Sequence, residues 1–288
     1  MRMNQNIKLV ARPVLIVILS MLCMSAKPAA AEISQDSQTA KTAIKAESAR
    51  IEGAKASLER FLALNQKSAL LSKEGKSLLT GELKDNRYPC AGPFDLQPNK
   101  MVSLDETHVI GRVYLTNPDK SRQDFYMYMA DDDGWKLEAI RTLAQTGMLR
   151  TMVYLNQTNP MARAAASTIN MANVELTLKT DQELRDWFGQ HKAQMEALRA
   201  AFVKMPAEIV VRAESTEADE APIKKLLVEL ALSLAETKDD DLHFVIGGIT
   251  DNSVGFLYSE KRTPPEISAS EYIWVEDLGD GWYLFRTT

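Results

Sequence analysis

The sequence predicts an α+β protein of two units, each with helices followed by an antiparallel β-meander. Three observations predict this class. Apolar residues recur at helical spacing over residues 44–62 and 184–205. Later in each half, apolar and polar residues alternate strictly, as in half-buried antiparallel strands. Asp-Gly pairs at 133–134 and 280–281 supply the positive φ angles that tight hairpin turns need.

Residues 1–31 have the pattern of a cleavable export signal. Lys8 and Arg12 give a basic start, an apolar run of about ten residues follows, and Ala29-Ala30-Ala31 ends the segment. The apolar run is too short to cross a bilayer, which needs roughly 20 such residues. We therefore expect cleavage near Ala31 and a periplasmic or secreted mature chain.

Export would leave an acidic protein. The mature part would hold 30 basic and 39 acidic residues, a net charge of about −9. This charge repels nucleic-acid phosphates and anionic lipid headgroups, so neither is an expected partner. No later run is long and apolar enough to span a membrane, so no integral membrane segment is expected after cleavage.

The first α+β domain is predicted at residues 44–147, after a flexible polar leader at 32–43. One or two short helices are expected at 68–83, and a loop rich in Pro and Gly at 85–100. Its long first helix carries an apolar stripe: Ile44, Ile51, Ala54, Leu58, Phe61 and Leu62. Its strands are expected at 107–115, 125–129 and 135–139.

The second α+β domain is predicted at residues 148–288. Thr180 and Glu183 match a capping box at the start of a long helix, and Pro222 fits the first turn of another. The stripe of the long helix is Leu184, Trp187, Phe188, Met195, Leu198, Phe202 and Met205, and that of the next helix is Ile223, Leu226, Leu227, Leu230 and Leu234. We expect a helix at 161–172 and strands at 174–178, 243–250, 253–259, 271–276 and 282–286.

The two halves end alike. Asp133-Gly134-Trp135 and Asp280-Gly281-Trp282 each follow an aromatic-rich strand and begin another. Internal duplication and chance similarity are both compatible with so short a match.

Cys90 is the single cysteine of the predicted mature chain, so no intramolecular disulfide can form. It lies in a loop punctuated by Pro89 and Pro93. Burial of the thiol is favoured over a bridge between two copies, and the oligomeric state stays open.

No motif for catalysis, metal binding or a cofactor stands out, so none of these is expected. The three histidines lack the spacing of metal ligands. His191 lies on the apolar stripe of the long helix, which favours a hydrogen-bonded boundary residue over a catalytic or pH-sensing one.

The candidate binding residues are His191, Gly247, Gly248, Trp135 and Trp282. Paired glycines in a strand indicate a bulge, and they would also let a ligand approach the backbone closely. The two tryptophans are expected in the core, although a stacked pair at a sheet end would suit a glycan.

The segment 44–143 resembles the nuclear-transport-factor-like superfamily, on the strength of Asp133-Gly134-Trp135-Lys136-Leu137 and Arg141. This resemblance implies helices packed on a curved antiparallel sheet with a cone-shaped pocket, in a superfamily of both enzymes and binding modules. The second half looks like the C-terminal part of uncharacterised exported bacterial proteins.

The function predicted from the sequence is a non-catalytic binding module that engages an envelope protein. The acidic surface, the aromatic hairpins and the lack of a catalytic motif favour it. The alternative is a pocket-bearing protein, either a small-ligand binder or a hydrolase or isomerase with His191 or His108 as base.

Overall fold

A computed structural model describes residues 29–67, 72–84, 95–117, 119–144, 146–165, 169–206, 209–214, 217, 220–249 and 252–288. Its helices and antiparallel sheets confirm the α+β class. Contacts divide the chain into Met1–Glu47 and Ser48–Thr288, and both sheets lie in the second of these units. The division at residue 147 therefore stays a prediction.

Helices and strands follow one another in blocks along the described chain. The helices are α1 Ala29–Gln66, α2 Lys73–Ser77, α3 Thr146–Thr158, α4 Pro160–Ala165, α5 Met171–Thr177, α6 Asp181–Phe202 and α7 Ala221–Glu229, with a 3₁₀ turn at Gly81–Leu83. The strands are β1 Asp95–Ser103, β2 His108–Thr116, β3 Arg122–Asp131, β4 Trp135–Arg141, β5 Val210–Arg212, β6 Leu234–Lys238, β7 Asp241–Ile249, β8 Asn252–Tyr258, β9 Tyr272–Gly279 and β10 Trp282–Thr287.

The first sheet is an antiparallel meander in the order β1-β2-β3-β4. One face packs against the α1 stripe, where Ala54, Leu58 and Phe61 are buried among the side chains of β2, β3 and β4. Ile44, predicted to belong to the stripe, is 66% exposed. The opposite face buries Ile110, Tyr126 and Tyr128 against Ile273 and Trp274 of β9.

The second sheet has the order β5-β6-β7-β8-β10-β9. β10 lies between β8 and β9, so the last hairpin departs from simple meander order. Helices α6 and α7 cover the inner face and form the largest core cluster with it. The outer face carries a smaller cluster: Val245, Leu257, Tyr272, Tyr283 and Phe285.

Local sequence features set several element boundaries as predicted. The Thr180 side chain accepts a hydrogen bond from the Glu183 amide while Glu183 accepts one from the Thr180 amide. Pro222 lies in the first turn of α7. Both Asp-Gly hairpins have positive φ angles, 52° and 97° at Asp133 and Gly134 and 56° and 84° at Asp280 and Gly281.

Three segments differ from the sequence prediction. The leader expected at 32–43 is helical, since α1 begins at Ala29 and alanine, lysine and glutamate are good helix formers. The loop expected at 85–100 contains the start of β1, which pairs with β2 despite Pro98. The strand expected at 174–178 is helix α5, because Asn170 caps it and Val174 and Leu176 are buried by packing.

The chain after α7 also differs. Leu234 does not belong to a helix, because α7 ends at Glu229 and Leu234 begins β6. The short strand β5 pairs with β6 and was not predicted. No helix in the described part of the chain is long and apolar enough to cross a membrane.

Candidate functional site

A groove on the outer face of the second sheet is formed by two adjoining cavities of about 450 and 350 Å³. We call it the outer-face groove. The cavities share Lys238, His243, Glu271 and Tyr272. The groove arises from the alternation of β7, because Phe244 and Ile246 point into the helix-covered core while His243 and Val245 lie on the opposite face.

Three rings form the wall of this groove. The His243 ring centroid lies 5.1 Å from that of Phe285 and 6.3 Å from that of Tyr272. Tyr272 and Phe285 meet edge to face at 6.1 Å. Tilted and edge-to-face packing suits the ring quadrupoles, so the wall is rigid and aromatic.

His243 is 3% exposed and has no hydrogen-bond partner among the residues that the structure describes. Burial, followed by the positive charge of Lys238, lowers the pKa of His243 to about 4. The imidazole is therefore neutral at pH 7, with one nitrogen that donates and one that accepts a hydrogen bond. Neither of these is used by the described part of the chain.

The charges of the outer-face groove are mainly negative. Five carboxylates line it, against the two ammonium groups of Lys238 and Lys261: Glu236, Asp239, Asp241, Glu266 and Glu271. Lys238 Nζ lies 3.2 Å from Glu271 Oε1 and 5.3 Å from the centroid of the Tyr272 ring. The groove therefore already holds one ammonium group between a carboxylate and an aromatic face.

A second polar constellation lies buried between the two sheets, and we call it the ionic joint. Its members are Arg112 of β2, Asp124 of β3, Asp181 of α6, Glu276 of β9 and Arg286 of β10. All five side chains are at most 4% exposed.

Asp181 is the centre of the ionic joint. It accepts hydrogen bonds from Arg286 Nε at 2.7 Å, Tyr126 Oη at 2.8 Å and Arg112 Nη1 at 3.0 Å. Its own backbone amide donates to Asp124 Oδ2 at 2.9 Å. The start of α6 is thereby bound to strands of both sheets.

The two aspartates of the joint ionise differently. Burial, and then the charge of Asp181, raises the pKa of Asp124 to about 7. Burial also opposes ionisation of Asp181, but Arg286 and Arg112 outweigh it and lower its pKa.

The ionic joint has the paired carboxylates and cations of an acid–base site, but its charged groups do not line either of the described grooves. None of its five members lines the outer-face groove or the groove that runs alongside α3. The contacts of these groups link strands of both sheets to the start of α6.

A third feature is the outer side of α3 and α4. In the described part of these helices Thr146 is the one buried residue. Four large apolar side chains are exposed there: Met148 by 48%, Tyr154 by 64%, Leu155 by 39% and Met161 by 82%. We call these four residues the α3 surface.

The groove alongside α3 has a volume of about 680 Å³. Its lining includes Tyr154 and four basic residues, none of which forms an ion pair with any described residue: Lys120, Arg122, Arg150 and Lys179. Three carboxylates also line it: Glu175, Asp119, which is bound to Ser121, and Glu183, which belongs to the capping box. On this acidic protein the groove therefore has a small excess of basic residues beside the exposed Tyr154.

The residues predicted from the sequence as candidates do not converge on one pocket. His191 is half-buried on α6, where its ring stacks on Trp187 at 4.3 Å and its Nδ1 lies 2.8 Å from the Trp187 carbonyl oxygen. Trp135 packs against α1 at Gly53. Trp282 is fully buried, and its Nε1 donates to Glu196 Oε1 at 2.7 Å.

The paired glycines meet other parts of the protein. A Cβ at Gly247 would lie 2.5 Å from Thr177 Oγ1 of α5, and one at Gly248 would lie 2.2 Å from the Asn252 carbonyl oxygen. The predicted bulge is present, since the β7–β8 register shifts between Val245 and Gly247. Packing against α5 explains the close approach at Gly247, and the β7–β8 hairpin explains it at Gly248.

Cys90, whose thiol was expected to be buried, lies outside the described residues.

The outer-face groove, the ionic joint and the α3 surface were not predicted from the sequence. In the sequence, His243 directly precedes the apolar Phe244 on a predicted strand. This alternation indicates that His243 lies on the sheet face opposite to the core, and it was the available signal for the groove. No trio of His, Cys, Asp or Glu side chains in the described residues is arranged to hold a metal ion.

Comparisons of the chain with protein-family models, with curated proteins and with solved structures found no match. In its described residues the chain is thus an α+β protein of two antiparallel sheets whose candidate features are the outer-face groove, the ionic joint and the α3 surface.

Proposed function

We propose that this protein is an exported, non-catalytic binding module that engages an envelope protein through the α3 surface. The observation that carries the proposal is the exposure of Met148, Tyr154, Leu155 and Met161 on two helices that contribute almost nothing to the core. Single exposed apolar residues are normal on proteins, but four large ones on two consecutive helices that bury little favour an interaction site.

The chemistry of the α3 surface favours an acidic partner. Arg150 and Arg163 are the charged residues of segment 146–165, which contains no carboxylate. The Arg150 guanidinium donates to the Arg122 carbonyl oxygen at 2.7 Å and lines the same groove as the exposed Tyr154. An amphipathic segment with Asp or Glu beside its apolar residues complements this arrangement.

Export rests on the basic, apolar and Ala-Ala-Ala order of residues 1–31. Cell fractionation followed by N-terminal sequencing tests it. A mature form beginning at Glu32 in the periplasm or medium supports export, and an uncleaved chain in the cytoplasm contradicts it.

The enzymatic alternative has less support from the geometry. His108 is bound to Asp105 in the β1–β2 turn, with 2.9 Å between Nδ1 and Oδ2, and His191 stacks on Trp187. Neither histidine lines the outer-face groove or the groove alongside α3. A binding role therefore agrees better with the positions of both predicted bases.

Affinity capture with matched variants tests the protein-binding proposal. The tagged chain, expressed with its own N-terminus, is used to capture envelope proteins, beside a Leu155→Ser/Met161→Ser variant. Val228→Ser is the control, because Val228 is a 52% exposed apolar residue of α7 away from this surface.

We expect one acidic protein to be retained by the parent and the control and reduced about tenfold in the double variant. Its retention should also weaken at high salt, because Lys120, Arg122 and Arg163 are exposed and salt screens exposed charges. Equal capture by all three chains, or capture of no protein by the parent, would contradict the proposal.

A further inference from the structure

We propose that the outer-face groove binds a small organic cation, of the size and charge of a short aliphatic amine. This site is separate from the α3 surface and does not depend on the protein-binding proposal. Three independent observations carry it: an unused acceptor, an excess of carboxylates, and an ammonium group of the chain itself already held at the wall.

The unused acceptor is His243. Its side chain is almost wholly buried, lines both cavities and has no hydrogen-bond partner in the described part of the chain. A ring without a protein partner at a cavity wall leaves its nitrogens to a ligand or to water in the cavity. The neutral imidazole accepts an N–H bond, which an ammonium group donates.

The excess of carboxylates sets the sign of the ligand charge. Glu236, Asp239 and Glu266 line the groove and have no ion-pair partner among the described residues. A concave site lined by charges of one sign concentrates ligands of the opposite sign. An anionic ligand would meet net repulsion at the same place, and a neutral one would leave these charges without a partner.

The ammonium of Lys238 shows which chemistry the wall stabilises. It lies between Glu271 and the ring face of Tyr272, at 3.2 Å from the carboxylate oxygen and 5.3 Å from the ring centroid. A carboxylate beside an aromatic face is the usual environment for bound ammonium ligands. Glu236 is paired with His243 across β6 and β7, which places an ion-pair partner beside the free acceptor.

The test compares three probes of equal length and different charge. The full-length protein is titrated by calorimetry with 1,4-diaminobutane, 1,4-butanediol and succinate at pH 7.5 and low salt. We expect the diamine to bind and its affinity to fall as NaCl rises from about 20 to about 200 mM. The diol and succinate should show no measurable binding under the same conditions.

Variants then locate the bound diamine. Glu236→Gln should weaken binding roughly three- to tenfold, because it removes a carboxylate. Lys238→Met should strengthen it by a similar factor, because it removes a like charge and vacates the Tyr272 face. His243→Phe should weaken it by about tenfold or more through loss of the acceptor.

Glu236→Gln and Lys238→Met, two residues apart on β6, should change the affinity for the diamine in opposite directions. This difference separates an effect on binding from an effect on folding. A destabilised chain loses affinity in every variant and cannot gain it in Lys238→Met. Glu229→Gln, an exposed carboxylate of α7 that does not line the groove, serves as the charge-matched control and should leave affinity unchanged.

Three results would overturn the assignment. The first is a lack of diamine binding at millimolar concentration, and the second is equal or tighter binding of the diol or succinate. The third is diamine binding that changes as much in Glu229→Gln as in Glu236→Gln, which would show non-specific attraction to an acidic surface.

Discussion

At the residue scale, Asp124 is the group whose protonation should most affect stability. Its pKa is raised to about 7 in the folded chain, so the folded state binds more protons than the unfolded state between about pH 4 and pH 7. The contribution of this carboxyl to the free energy of unfolding is therefore full below about pH 4 and is lost as pH rises to about 7.

Asp124→Asn should remove this contribution to the pH dependence, because the amide has the shape of the neutral acid and does not ionise. Urea denaturation at several pH values measures the difference between variant and parent. We expect the variant to gain on the parent from about pH 4 to about 7 and the difference to level off above that. A difference that is the same at every pH would contradict the ionisation assigned to Asp124.

His243 acts with the opposite sign. Its pKa is lowered to about 4, so the unfolded chain binds more protons between about pH 4 and pH 6.5. Stability from the neutral imidazole is complete above about pH 6.5 and is lost as pH falls to about 4. In the parent chain the pH-dependent contributions of Asp124 and His243 to stability oppose each other. The contribution of Asp124 is therefore obtained from the difference between Asp124→Asn and the parent at each pH.

Sequence reasoning at this scale identified buried residues better than functional ones. Trp282 was expected in the core and is fully buried. Arg112, Asp124 and Arg286 are missed because a charged residue on an alternating strand predicts a solvent face. Their burial depends on the second sheet packing against the first, which no local pattern contains.

At the element scale, the N-terminus of α6 should be sensitive to loss of its cap. Thr180→Ala removes the side-chain acceptor of the Glu183 amide and should destabilise the chain by about 1 kcal/mol. For a chain of this size that corresponds to a fall in Tm of roughly 2–4 °C. Thermal unfolding followed by circular dichroism measures it.

Ser72→Ala is the matched control for this cap. Ser72 caps α2 by the same kind of bond, at 3.1 Å to the Gly75 amide, but α2 has five residues and no contact with the ionic joint. We expect a smaller fall in Tm there. An equal or larger fall in Tm for Ser72→Ala would contradict the greater sensitivity predicted for the cap of α6.

The elements predicted correctly are those with long, unambiguous periodicity. The apolar stripe of α6 is compatible only with a helix, and the alternation of apolar and polar residues in β2, β3 and β4 is compatible only with strands. Val174 and Thr177 are β-branched and favour strands, yet they lie in the last part of α5 because packing against β7 outweighs their propensity. Gly247 of β7 makes room for that helix, because a Cβ there would lie 2.5 Å from Thr177 Oγ1.

At the scale of the whole molecule, the ionic joint predicts that the two sheets unfold together. Arg286→Ala leaves Asp181 and Asp124 buried without their main cation, which should cost about 3–5 kcal/mol. Hydrogen exchange should then show lost protection in β2 and β3 as well as in β10. Arg141→Ala is the control, because Arg141 pairs with Glu82 at a partly exposed site.

Loss of protection confined to residues 148–288 would contradict this coupling and would support the division into two domains predicted at residue 147.

The sequence predicted the α+β class and the helices-then-strands order of each half. The packing of β9 against the first sheet could not be predicted, because it depends on Ile273 and Trp274 meeting Ile110 and Tyr126 at long sequence separation. The resemblance to the nuclear-transport-factor-like superfamily stays a prediction.

Within the described residues, β1 is an end strand of the first sheet, and its sequence affects how the protein behaves at high concentration. Pro98 lacks an N–H group, and the β1–β2 register shifts between Pro98 and Lys100. An edge strand interrupted in this way is a poor template for a strand of another molecule. In the crowded envelope space proposed for this protein, stacking of sheets edge to edge would be damaging, and β1 protects the chain from it by its own sequence.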